Sequence, residues 1–190
     1  MKFRYIISDL HFGHVAIAYK RGFDSVHDHD KKLIWNWNVV IPEYYAKHDK
    51  YIVYVLGDVS LHNPKYLAEI LPKLNGEKIL ISGNHDDAAA NEYYKAVYGA
   101  IQVKIHGDMY LMTHIPIHPQ ELVGRWKGNI HGHLHQNFVY EDWQNVLGDV
   151  KGTIKDKRYI NVSAEQLSFT PQLLEDIVQS ATEQGEPNET

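Results

Sequence analysis

Ile7-Ser8-Asp9-Leu10-His11-Phe12-Gly13-His14 decides the fold, because the apolar run Tyr5-Ile6-Ile7 ends there directly in a carboxylate and an imidazole spaced i and i+2. That is how a buried strand empties into a site. Three later stretches repeat the pattern. Ile52-Val53-Tyr54-Val55-Leu56 runs into Gly57-Asp58, Lys78-Ile79-Leu80-Ile81 into Ser82-Gly83-Asn84-His85-Asp86, and Tyr110-Leu111-Met112 into Thr113-His114. A fifth, Asn129-Ile130-His131-Gly132-His133-Leu134-His135, carries three imidazoles at alternate positions. Short apolar runs bounded by glycine and polar residues read as buried strands, and ligands of an open sheet gather beyond the carboxyl ends of its strands. Five strand ends then deliver Asp, His and Asn to one rim.

Working outward, 190 residues suffice for a full core, and one domain over residues 1–181 is expected, with an acidic, apolar-poor tail at 182–190 expected to be disordered. A formal charge of -5 offers polyanions no general attraction. Nucleic acid is therefore the less favoured partner, a local basic patch aside. With no cysteine, disulfides and thiolate zinc sites are excluded, which agrees with a reducing cytoplasm. No apolar stretch reaches membrane-spanning length, and a first strand starting at residue 3 leaves no room for a signal peptide. A cytoplasmic location without membrane contact is the expectation.

Between the strands, residues 12–25 read as a loop and Asp30 to Tyr45 as a helix with Leu33, Ile34, Trp37, Val40 and Ile41 on its apolar face, kinked or ended near Ile41 by Pro42. Lys47-His48-Asp49-Lys50 leads into the second strand, 51–56. Asn63-Pro64 opens a helix to about Leu71, Asn75-Gly76 turns into the third strand, and Asp87 to Val97 reads as a short helix. A hairpin is expected from Ile101–Ile105 and Met109–Met112 across His106-Gly107-Asp108. Residues 115–127 read as a loop or short helix, and Phe138 to Gly152 as a small helix around Trp143, Val146 and Leu147 or a covering loop. Residues 159–162 read as the last strand and 171–178 as a closing helix. Trp35, Trp37, Tyr44 and Tyr45 read as packing rather than base-stacking residues.

Asp9, His11, Asp58, Asn84, His114, His133 and His135 make a mixed oxygen and nitrogen donor set. Such a set suits manganese first, then iron, zinc or nickel, over magnesium, which prefers oxygen and water. Seven donors exceed the need of one four-coordinate ion, and two divalent ions sharing Asp58 is the economical account. Taken alone, Asp9 reads as a strand-end cap, Asp58 and Asn84 as turn residues after glycine, and the histidines as polar contacts or a solvated strand face. Their joint occurrence favours metal. His14, Arg21 and Arg125 are candidate substrate contacts; His62 and His118 read as solvated loop residues and His131 as support for the metal ligands.

The ordered series Asp9-x-His11, Gly57-Asp58, Gly83-Asn84-His85-Asp86, His114 and Gly132-His133-x-His135 resembles the calcineurin-like metallophosphoesterase superfamily over most of residues 3–163. Phe12-Gly13-His14 and Asn161-Val162-Ser163 further resemble a compact bacterial and phage-type branch. The resemblance implies an α/β fold, a two-sheet β-sandwich flanked by helices in four αββα layers. It implies that Asp9, His11 and His135 hold one ion and Asn84, His114 and His133 the other, with Asp58 bridging. His85 is implied to contact phosphate and protonate the leaving oxygen, and Asp86 to orient His85. The chain departs from the family where Leu61 replaces a frequent aspartate. The reaction implied is in-line attack of a metal-activated hydroxide on a phosphoester, a small phosphodiester or nucleotide being favoured. Nuclease, phosphomonoesterase and nucleotide pyrophosphatase activities are alternatives on the same site, and a noncatalytic metal-supported binding module is the competing class.

Overall fold

In the computed structural model, which describes residues 2–46, 51–61, 63–144 and 148–183, the apolar runs are strands. The chain passes through β1 (Phe3–Ile7), α1 (Val15–Lys20), α2 (Val26–Val40), α3 (Glu43–Ala46), β2 (Tyr51–Val55), α4 (Pro64–Ile70), β3 (Glu77–Ile81) and β4 (Ala96–Tyr98). It continues through β5 (Ile101–Ile105), β6 (Asp108–Met112), α5 (Pro119–Leu122), β7 (Gly128–His131), β8 (Tyr140–Gln144), β9 (Val150–Lys155), β10 (Tyr159–Asn161), β11 (Gln172–Leu173) and α6 (Leu174–Glu183).

A five-stranded sheet has the order β11-β1-β2-β3-β4 and a four-stranded sheet the order β10-β7-β6-β5, while β8 and β9 form a separate ribbon. In the larger sheet β1 to β4 are parallel, so β1, β2 and β3 end on one edge. In the smaller, β6, β7 and β10 are parallel. The two sheets are joined where they end: Ser8 donates its N–H to Val162 O, and Ala164 donates to Ser8 O, each at 2.9 Å. One core holds Ile6, Val55 and Leu80 of the larger sheet together with Val103, Met112 and Ile130 of the smaller and Leu33, Trp37 and Leu67 of the helices. This is the mixed α/β, two-sheet architecture flanked by helices that the resemblance implied.

Several expectations change. The segment 12–25 is not all loop, because His14 caps α1 by accepting the Ile17 N–H at 3.3 Å. The next helix starts at Val26 rather than Asp30, since Ser25 Oγ accepts the Asp28 N–H at 3.1 Å and supplies an earlier N-cap. It ends at Val40, with Ile41 driven to φ -121, ψ 76 ahead of Pro42. Residues 87–97 split into a 3-10 turn, Ala88–Tyr93, and β4, which extends the larger sheet. Within the region 138–152, the described residues of Tyr140–Gln144 and those from Val150 onward are neither helix nor covering loop: β8 and β9 pair antiparallel. The strand at 159–161 is not the last, because β11 adds antiparallel to β1 just before α6. Trp37 is buried, whereas Trp35 and Tyr44 are 62% and 70% exposed, so only part of the aromatic set packs. His62, Lys47-His48-Asp49-Lys50, Val146, Leu147 and the tail beyond Glu183 lie outside the described residues.

Candidate metal centre

Five of the expected ligands occupy left-handed backbone: Asp9 (φ 56), His11 (φ 52), Asp58 (φ 52), His133 (φ 68) and His135 (φ 52). Each conformation costs roughly 1–2 kcal/mol for a residue with a Cβ. Backbone hydrogen bonds between strand ends hold them there. Asp9 N–H donates to Gly57 O and His11 N–H to Asp58 O, both at 3.0 Å, and Phe12 N–H to Val59 O at 2.8 Å. The glycines between ligands permit the approach. A Cβ on Gly57, itself at φ +77, would lie 2.7 Å from His114 Nδ1, and one on Gly132 would lie 2.5 Å from Asp9 Oδ2.

Two groups result, Asp9 with His11 and His135, and Asp58 with His114 and His133, each offering donor atoms within 4.8 Å of one another. Asp58 faces both: its Oδ2 lies 3.8 Å from His11 Nε2 and its Oδ1 3.3 Å from His114 Nε2. Asn84 joins the second group, with Oδ1 at 3.0 Å from His114 Nε2. The residues fit a pair of cations. Among the described residues, Asp9 Oδ1 and both ring nitrogens of His11 are buried without a hydrogen-bond partner, and a coordinated ion would take up Asp9 Oδ1 and one of the two nitrogens. His114 Nδ1 sits 2.7 Å from Leu56 O, a carbonyl that can only accept, so Nδ1 carries a proton and Nε2 is the nitrogen turned to the group.

The electrostatics follow from burial and crowding. Burial would lower the His114 pKa, but the Asp58 carboxylate outweighs it and raises the value. Burial opposes ionisation of Asp58, yet the His114 hydrogen bond and charge bring its pKa down to about 2. Burial drives His11 down to about 3, keeping it a neutral donor. Burial raises Asp9 and lowers His133.

The remaining expected residues are placed as follows. The His85 ring lies 6.1 Å from that of His11, and its backbone N–H donates to Asp58 Oδ1 at 3.1 Å. Asp86 is committed elsewhere than expected: its oxygens accept the backbone N–H groups of Asp58, Val59 and Gly83 at 3.1, 2.9 and 2.8 Å. Burial raises its pKa against those donors. It clamps two ligand-bearing loops. The His14 ring stands edge-on to His11 at 5.6 Å, with Nδ1 used as the α1 cap. Arg21 departs from its expected role, since its side chain is only 2% exposed and bonds to Glu165, Leu10 O, Asp9 O and His29. Arg125 is 66% exposed and paired with Glu121 at 3.6 Å; among the described residues no bond links it to the two groups. His118 caps α5, accepting the Gln120 N–H at 3.2 Å. His131 is buried, its Nδ1 turned to Gly132 O at 2.8 Å, and belongs to neither group.

Sequence reasoning missed Glu165, which meets the candidate ligand His135 at Nδ1, 2.8 Å away. Burial opposes its charge, but His135 and Arg21 bring its pKa down to about 2. Only proximity in the fold identifies it; a lone glutamate after Asn161-Val162-Ser163-Ala164 carries no signal of its own.

Two sheets whose strand ends present paired His/Asp groups define a protein of two-sheet α/β fold with a candidate dinuclear centre. No family model matches the chain. It is 36% identical over 180 residues, covering 92% of this chain and 88% of the relative, to the uncharacterized protein MJ1445 of Methanocaldococcus jannaschii, and it belongs to that protein's family. Among solved structures it is similar to the protein of unknown function AQ665 from Aquifex aeolicus, with a TM-score of 0.68 at 23% identity over 95% of this chain and 100% of that one. A more distant similarity, with a TM-score of 0.43 at 20% identity over 74% of this chain and 77% of that one, is to an archaeal phosphodiesterase. Among the described residues no helix is long and apolar enough to cross a membrane.

Proposed function

We propose that the chain is a dinuclear metal-dependent phosphoesterase acting on a small phosphodiester or nucleotide, with manganese as the preferred ion. The observation that carries this reading is Asp58, one carboxylate turned with separate oxygens toward His11 and His114, the arrangement a shared ligand needs. Bound divalent ions supply Lewis-acid neutralisation of phosphate charge and activation of water. The protein's own part is to hold that site rigid and to move a proton. Asp9, His11 and His135 form one half of the cradle, and Asp58, Asn84, His114 and His133 the other. His85, held beside the centre through its N–H to Asp58, donates the proton that the departing oxygen needs. A cavity of about 250 Å³ lined by Lys20, His133, His135, Gln136 and Asn137, among others, supports a small substrate, as does the surface pairing of Arg125 with Glu121.

The test is a manganese-dependent screen after chelation, containing phosphomonoesters, cyclic and linear nucleotides, nucleotide pyrophosphates and short and long nucleic acids. Asp58→Asn protein runs beside wild type to expose contaminating enzymes. Turnover of small diesters that the variant lacks supports the proposal. Inactivity on every ester across several ions and a broad pH range, together with stoichiometric capture of a protein partner, would turn it to a binding module. Efficient cleavage of long DNA or RNA with little small-molecule turnover would overturn the substrate assignment.

A further inference from the structure

Outside the two groups, a buried polar network starts at a metal-candidate histidine and runs away from the site. His135 Nδ1 lies 2.8 Å from Glu165 Oε1, which also accepts Arg21 Nε–H at 2.9 Å. A carboxylate this buried, 9% exposed and salt-bridged, accepts, so His135 carries its proton on Nδ1 and keeps Nε2 for a ligand. Arg21 then spends its other donors on the backbone that bears the remaining two members of the same group. It donates to Asp9 O at 2.6 Å and Leu10 O at 3.1 Å, immediately before His11. Its NH1 also meets His29 Nε2 at 2.9 Å, His29 Nδ1 meets Asp30 Oδ1 at 2.7 Å, and Asp30 Oδ2 accepts the Gly13 N–H at 2.9 Å. The left-handed turn from Asp9 to His11 is thereby tied from behind at Asp9, Leu10 and Gly13.

None of these bonds reaches the other group among the described residues. There, His114 is held by Leu56 O and Asp58 by the backbone N–H of His85. We infer that Arg21 and Glu165 are positioning residues chiefly for one metal position, that of Asp9, His11 and His135, and meet the position of Asp58, His114 and His133 only through the bonds the two groups share, His133 N–H to Asp9 Oδ2 at 2.9 Å and His11 N–H to Asp58 O at 3.0 Å. Arg21 suits this because a planar guanidinium can hold a carboxylate and two carbonyls at once; a lysine in its place offers a point charge without that fork. The inference rests on the dinuclear reading above, and goes beyond it by dividing the centre into two halves built by different residues.

Calorimetric manganese titration of the full chain tests it, with binding rather than activity as the readout. Wild type should bind two equivalents, and His135→Asn marks the equivalent belonging to the Asp9 group. In Glu165→Gln and Arg21→Lys that same equivalent should weaken by about 10–100-fold, the usual loss when a partner of a metal ligand is removed, while the other keeps its wild-type affinity. General loosening of the fold would instead weaken both. Equal weakening of both equivalents, or no change in either, overturns the inference; failure of wild type to bind two equivalents overturns the dinuclear reading itself. The two variants are read separately, so poor folding of one leaves the other decisive. In the zinc-loaded protein, nitrogen-15 NMR of the imidazoles should show His135, identified by its loss in His135→Asn, protonated on Nδ1. Protonation on Nε2 would contradict the proposed geometry.

Discussion

The carboxylate of Asp86 receives the backbone N–H of Gly83 at 2.8 Å, and the same oxygen receives that of Asp58 at 3.1 Å. One side chain therefore sets the spacing between the loops that carry Asn84 and Asp58. In Asp86→Asn the amide group must face one of three N–H donors, leaving it unpaired, which costs about 1–3 kcal/mol. Urea denaturation of the metal-free protein should show this loss; an unchanged midpoint would mean that the clamp carries no weight.

The proposed function gives His85 to the chemistry rather than to the cradle. His85→Asn should keep binding of both ions and lose up to about 10²–10⁴-fold in turnover on esters with poor leaving groups, and far less on aryl esters whose departing oxygen needs no proton. Equal losses on both ester types would remove the general-acid role, and loss of metal would make His85 structural.

Gly57→Ala places a side chain at φ +77 and 2.7 Å from His114 Nδ1. The backbone alone costs about 1–2 kcal/mol, before the overlap with His114 and with the Gly83 backbone, whose N would lie 2.5 Å from the new Cβ, is relieved. Thermal unfolding should register the instability, and manganese titration should register a weakened His114 group. A variant as stable as wild type would show that the strand ends have slack.

Lys78 donates Nζ to Leu74 O at 2.7 Å and Gly76 O at 3.1 Å, and burial lowers its pKa from 10.5 to about 8. Between those values the unfolded chain binds the proton and the folded chain does not, so stability from this group rises with pH across the window, the cost being fully present below about pH 8. The difference in urea midpoint between wild type and Lys78→Met should therefore shift in favour of wild type between about pH 8 and 10.5. A flat difference would show that the two carbonyls keep the ammonium charged throughout.

Tyr94 is 7% exposed, and its hydroxyl has no partner among the described residues. Burial raises its pKa, as does the nearby Asp86 charge. Tyr94→Phe removes an unsatisfied group while keeping the ring, and should raise stability by about 1 kcal/mol. A clear destabilisation in chemical denaturation would reveal a bond to the hydroxyl.

The strand ends were legible because an apolar run of fixed period stops at a polar residue, and Asp9, Asp58, Asn84, His114 and His133 each mark such a stop. What lay beyond one strand was not. The guanidinium of Arg21 looks in sequence like any loop cation; its burial comes from the short α1 helix, whose cap, His14, sits within a glycine-bearing stretch that reads as loop. Glu165 lies 30 residues after His135, and no spacing rule links them. Asp86 follows His85 directly, which suggests a partnership, yet its oxygens turn toward backbone on both flanking loops. The β8–β9 ribbon hid for another reason: every described position of β9 is exposed, so the alternation that betrays a half-buried strand is missing.

Both His/Asp groups are drawn from both sheets. Asp9 and His11 follow β1 while His135 follows β7; Asp58 follows β2 while His114 and His133 follow β6 and β7. Ions held there would behave as rivets through a two-ply laminate, each gripping one ply from each side. The cohesion of the plies then becomes a function of free cation concentration: the melting temperature climbs with the logarithm of that concentration once it exceeds the dissociation constant, and a chelator loosens the laminate without disturbing a single apolar contact.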